Sequence, residues 1–282
     1  MKYLTVGAVS REDLEEELNT IRVLAPRGAE GVFGPASVIW RVDREAAIFL
    51  SAGRALLLQL AHPWIAAAIS EHSRTLDDPI GRFHRTFEVV FSMVFGSLDQ
   101  AIAAARRLYR RHEAIQGHLP AAIGPFASGS GYRANEIAGL QWVHATLTET
   151  ALLMHDLVLG PLSHEERERY YAESKVFAAL FGIPGNRLPP DWPAFVAYNE
   201  TMLESDTLTV SPAAREIAQP LIIRKASSSA GFSSSIPAYP DAGITHRLRR
   251  NASRKIGFSA TVSTRALNVA SRSLRGVFIF SS

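Results

Sequence analysis

The chain has 282 residues and a mass of 30.8 kDa, with 47% apolar and 20% charged residues, which supports a sizeable core and excludes wholesale disorder. It contains no cysteine, so disulfides, thiolate zinc sites, iron–sulfur clusters, cysteine nucleophiles and thiolate-ligated haem are excluded, and nine histidines remain as candidate metal ligands. The net charge of +3 averages two unlike parts: residues 224–282 carry ten Lys or Arg against Asp241 alone, while residues 1–223 carry a net charge of −6; a mildly acidic body argues against nucleic-acid binding.

Residues 1–32 read as a lead-in lacking the apolar core of a signal peptide. Glu12–Glu17 suits the start of a short helix, and Gly31–Ser37 (GVFGPAS) reads as a loop. The longest uncharged run, Ala55–Ser70, contains His62 and Pro63 and falls short of the roughly 20 apolar residues that a membrane span needs. The expectation is a soluble, cytoplasmic protein. Arg44–Glu71 is apolar nearly all round and reads as a buried central helix, kinked or broken by Pro63. Asp78-Pro79 starts a helix that runs to about Phe95 and stops at Gly96. Ser97–Gln100 is a capping box for the next helix, ending at Gly117. Residues 118–132 read as a loop, and a long helix runs from about Asn135 to Leu159. Ser163–Glu166 is another capping box, its helix closing at Gly182; Pro189-Pro190-Asp191 introduces a helix from Trp192 to about Glu204, and Ser211-Pro212 starts a short last one. Nothing alternates with period two, so residues 33–222 read as one all-α, multi-helix domain. Residues 223–282 read as an irregular, basic, low-complexity tail, with 13 serines in residues 224–282. The change at about residue 222 is abrupt, as a shifted reading frame would make it.

His112 shares a stripe with Ala101, Ala105, Leu108 and Ile115, spaced to point it into the core, where both ring nitrogens need partners. A metal on one nitrogen and a carbonyl or carboxylate on the other would satisfy them, as would backbone alone. His144 lies on an equivalent stripe with Leu140, Leu147, Ala151, Met154 and Val158, and spacing does not rank it against His112. His62 and His72 are further candidates. Arg82 and Thr86 stand at i,i+4 beside Val89 and Met93, an arrangement that suits a polar cofactor edge, or equally a snorkelling arginine and a threonine bonded to its own helix. No HExxH, GxSxG, P-loop or GxGxxG occurs.

The blocks GRALLLQLAHP (Gly53–Pro63), EHSRTLDDPIGRFHRT (Glu71–Thr86), VFG (Val94–Gly96), RRHEAIQG (Arg110–Gly117), GYRAN (Gly131–Asn135) and LQWVHATL (Leu140–Leu147), in this order, resemble the MpaB-type oxygenase family, which includes the rubber oxygenases or latex clearing proteins. The resemblance covers about residues 33–220. It implies an all-helical fold with a globin-like core and one b-type haem. It further implies His112 as the iron ligand and Arg82 and Thr86 lining the cofactor pocket; His144, inward by its spacing, stays a further cofactor-binding candidate. O2 would react beside Arg82, Arg85 and Thr86, acting as the catalytic trio. Two departures matter. Arg85 stands where rubber oxygenases carry a lysine, and a guanidinium is a very poor iron ligand. Their catalytic carboxylate has no evident counterpart, so polyisoprene cleavage is not carried over. The expectation is a haem b oxygenase using O2 on a small apolar substrate, with a non-catalytic haem- or lipid-binding protein as the alternative. The tail after residue 222 departs from the Pro- and Leu-rich helices usual in the family.

Overall fold

The computed structural model describes residues 7–25, 31–46, 48–73 and 78–222. The basic tail, residues 223–282, and residues 1–6 and 26–30 of the N-terminal lead-in lie outside the described residues. Ten α-helices and one pair of three-residue strands make up the regular structure among them, so the chain is all-α.

Helix α1 (Arg11–Leu24) opens with a reciprocal cap: the Asp13 amide donates to Ser10 Oγ at 3.0 Å and the Ser10 amide donates to the Asp13 carboxylate at 2.8 Å. It buries Leu14, Leu18 and Ile21 and pairs Glu15 with Arg106 through two hydrogen bonds of 2.7 and 2.5 Å. The expected loop at 31–37 is present and ends in Ser37, which caps α2 (Val38–Asp43). Gly31 has φ +132°, and a Cβ there would stand 2.3 Å from the Gly96 carbonyl oxygen. Backbone cannot yield as a flexible side chain can. Gly31→Ala should therefore lower the urea midpoint by the equivalent of at least about 2 kcal/mol.

Pro63 breaks the expected central helix into α3 (Ile48–Leu60) and α4 (Pro63–His72). Proline has no N–H to continue the ladder, and the His62 amide turns back to the Gln59 carbonyl at 3.0 Å. The Leu58 carbonyl instead accepts the Trp142 indole N–H at 2.9 Å.

The most deeply buried helix is α7 (Ile137–Val158), not the segment around Pro63: it buries residues on every side, including Trp142 and Leu152 at 1% exposure. Helix α3 packs along it. Besides the Trp142 bond, Gln59 donates to Thr146 at 3.1 Å, and Arg54 meets Glu149 and Thr150.

Helices α5 (Pro79–Val94) and α6 (Leu98–Glu113) follow their expected caps, Asp78 and the Ser97/Gln100 box. Helix α6 stops before Gly117. The chain then forms β1 (Gln116–His118), antiparallel to β2 (Gly131–Arg133), inside what the sequence reads as loop. Three-residue strands are too short to show alternation, and their pairing is non-local. Helix α8 (His164–Ala179) starts at its Ser163/Glu166 box, α9 (Trp192–Glu204) at Asp191, and α10 (Pro212–Ile222) at Pro212.

Two half-buried carboxylates join α2 to α8. Tyr170 donates to Asp43 at 2.8 Å, and Glu173 accepts the Ile39 amide at 2.7 Å. Burial, reinforced by the Glu173 charge and opposed by the Tyr170 bond, pushes Asp43 up to about 7. The folded state therefore takes up a proton that the unfolded chain, at its ordinary 3.8, does not hold between about pH 4 and 7. Asp43's contribution to stability falls as pH rises through that window. Asp43→Asn should raise the melting temperature at pH 8 and raise it by less at pH 6; an equal shift at both would contradict the shifted carboxyl.

Candidate cofactor site on the α5–α6 hairpin

Helices α5 and α6 pack together and are joined through Phe95–Ser97, so they run antiparallel. Arg82 lies about 21 Å before Gly96 along its helix and His112 about 24 Å after it, at 1.5 Å per residue. The Arg82 and His112 backbones therefore share the open end of the hairpin. The side of α5 bearing Phe87, Phe91 and Phe95 is an aromatic ladder with centroid spacings of 5.5 and 5.4 Å. Phe49 of α3 joins it 4.7 Å from Phe87, and Trp40 of α2 joins it 4.9 Å from Phe95. Met93 and Val94 are fully buried beneath.

His112 is half-buried in the last turn of α6. Its imidazole is pushed down to about 4, first by burial and then by the neighbouring Arg111 charge, while a hydrogen bond to the Asn135 side chain opposes both. Asn135 is itself buried. Its carbonyl accepts the Val9 amide at 2.9 Å and its Nδ2 donates to the Tyr109 carbonyl at 3.5 Å. The ring is thus neutral at pH 7, oriented on one side by a fixed amide, and able to present its other nitrogen as a ligand.

His144 differs from His112 in a way that spacing does not reveal. Its Nε2 lies 2.9 Å from the Ser174 carbonyl and 3.4 Å from Thr148 Oγ1, and the ring is 3% exposed. Each histidine thus has one nitrogen held by the fold, and what separates them is exposure: the His144 ring is enclosed in the core, whereas His112 is half-buried at the open end of the hairpin. His72 lies 3.9 Å from the Glu71 carboxylate, beside Tyr132. The side chain of Arg82 lies outside what the structure describes.

Arg85 is exposed and pairs at 3.1 Å with Asp78, whose other oxygen caps the Gly81 amide at 2.8 Å. Two helical turns separate the cap from Arg85, which places them on one face. Thr86 is also exposed. Of the expected trio, Arg85 and Thr86 are thus on the exposed side of α5. Asn135 was not singled out in the sequence, where it reads as the start of the long helix; α7 begins later, at Ile137.

Among the described residues, no group of three or more His, Asp or Glu side chains gathers to hold a metal ion. A haem asks less, since its macrocycle supplies four ligands and the protein one imidazole. His112 with Asn135 fits that demand. No helix of the described residues is long and apolar enough to cross a membrane.

Compared with known protein families, residues 40–275 match the family described as ER-bound oxygenase mpaB/B'/Rubber oxygenase, catalytic domain. The match runs across residue 222. No curated protein and no solved structure matches the chain.

Proposed function

Because the chain belongs to the mpaB/rubber oxygenase catalytic-domain family, we propose that it is a haem b-dependent oxygenase acting on an apolar substrate, with His112 as the residue that would hold the haem iron. Membership of an oxygenase family carries the use of O2 and an organic substrate; the haem and His112 are the finer reading. The observation that supports it is the half-buried, neutral His112 ring held by Asn135 at the open end of the α5–α6 hairpin. When bound, haem supplies the redox chemistry that activates O2. The chain's own residues do the rest. Asn135 fixes the ring's rotation. Burial keeps a lone pair on the imidazole at neutral pH. Phe87 and Phe91 give the α5 side an apolar surface against which a hydrocarbon chain sheds water. Arg82 offers a donor for a polar edge of the cofactor.

The test is haemin reconstitution of the full-length chain, followed by absorption. The unsubstituted protein should develop a Soret band at one equivalent. His112→Ala should lose it, and His144→Ala should retain it in whatever fraction folds. The opposite pattern would move the ligand to His144. Asn135→Ala should keep the band but weaken haem retention 10- to 100-fold, as losses of a ligand-orienting partner do.

A second reading, binding without turnover, draws on the exposure of Arg85 and Thr86 and on the Arg85–Asp78 pair. O2 consumption by the reconstituted protein with medium-chain alkenes separates the two. Arg85→Ala should leave the resting spectrum unchanged in either case, because a guanidinium does not ligate iron.

A further inference from the structure

Among the described residues, two buried polar atoms have no hydrogen-bond partner: His62 Nδ1 and Trp64 Nε1. They sit two residues apart at the N-terminus of α4, on the N-cap and in the first turn. Their rings are 5.6 Å apart, and Phe126 lies 5.6 Å from His62 and 4.9 Å from Trp64. Leu119, Ala67 and Tyr132 complete the surrounding apolar cluster. Leaving such a group unpaired costs about 1–3 kcal/mol, and most buried polar atoms in folded proteins have partners. Two adjacent orphans within one aromatic nest point to an occupant.

The donors define its chemistry. An indole N–H only donates, so the occupant is an acceptor. His62 is 2% exposed, and burial alone holds its imidazole down to about 4, with no charged neighbour contributing. The ring is neutral, and in its Nδ1–H tautomer it is a second donor. The α4 N-terminus adds positive potential, and His62 makes no side-chain cap there. With no cation nearby, an anion would lose its hydration without a counter-charge. A neutral oxygen bearing two lone pairs suits two donors.

We propose that His62 and Trp64 form a buried docking point for the carbonyl oxygen of an otherwise apolar molecule, a ketone, aldehyde or ester whose chain lies against Phe126 and Leu119. The pair sits on α4 rather than on the α5–α6 hairpin, and its test uses the protein without added haem. The experiment follows the four indole N–H resonances of the 15N-labelled full-length chain during titration with 2-octanone, with octane as the control. Trp64→Phe identifies the Trp64 signal. The expected result is a saturable downfield shift of that signal with the ketone alone, and ketone binding about tenfold weaker in Trp64→Phe and in His62→Phe, the equivalent of one lost hydrogen bond. An equal response to octane would overturn the proposal, because apolar contact would then suffice. No response to either probe would overturn it as well, leaving an ordered water as the occupant. Should either variant fail to fold, the titration of the unsubstituted protein decides alone.

Discussion

Acidification from pH 7 to pH 4 should unfold the protein. His62 and His144 are 2% and 3% exposed, and burial holds both near 4 against an ordinary 6.5. The folded state thus binds fewer protons than the unfolded chain between those values. The associated stability is fully present above about pH 6.5 and is lost as pH falls towards 4. Each ring accounts for about 3 kcal/mol, and two together approach the 5–15 kcal/mol that is the usual total for a domain. His112 shifts in the same direction. Asp43 works the other way and offsets part of the loss, one group against three. Far-UV circular dichroism at 222 nm should show a cooperative transition centred between pH 4 and 5.5. A helical signal and a cooperative melt persisting unchanged at pH 4 would mean that the two imidazoles are not sealed from water.

The features that the sequence makes legible are those written within four residues. The Ser97/Gln100 and Ser163/Glu166 boxes, the Asp78-Pro79 start and the Asp191 cap all make the bonds that their spacing implies. What escapes is held from a distance. Helix α2 is six residues long, and its first-turn Ile39 amide is satisfied by Glu173, 134 positions away. The strands β1 and β2 exist only through each other. The centre of the molecule shifts from the apolar run before Pro63 to α7 because residues around Trp142 are enclosed by α3, α8 and α9, an outcome that composition along one segment does not encode.

The same division applies to the candidate site. Helical periodicity alone brings His112 and His144 inward and leaves them equal. Their surroundings, remote in sequence, distinguish them: His144 is enclosed with Nε2 on the Ser174 carbonyl, and His112 is half-buried beside Asn135. Arg85 reads as a neighbour of the cofactor through the family resemblance; its pairing with Asp78, seven positions earlier, is visible only in the fold. The orphaned pair at His62 and Trp64 carries no periodic signal, since its meaning lies in what surrounds it.

Trp142→Ala should be among the most damaging single substitutions in the chain. The side chain is fully buried between α3 and α9, packed in one cluster with Leu58, Ala61, Tyr171 and Phe195. Truncating a buried tryptophan costs about 3–5 kcal/mol through lost burial and the cavity left behind. Here a further cost arises from how α3 ends. The Leu58 carbonyl is one of the last four of its helix and would be taken by the amide of residue 62 if the helix continued. Pro63 ends the helix, the His62 amide bonds to Gln59, and the Trp142 indole N–H serves Leu58 in its place. Trp142→Phe isolates this bond, since it keeps most of the ring and removes the donor. It should cost about 1–3 kcal/mol, the range for stranding a buried acceptor. Urea denaturation should rank unsubstituted protein above Trp142→Phe above Trp142→Ala, with the last losing most of its cooperative transition at 37 °C. If Trp142→Phe matches the unsubstituted protein, water reaches the Leu58 carbonyl and the indole is not what closes α3.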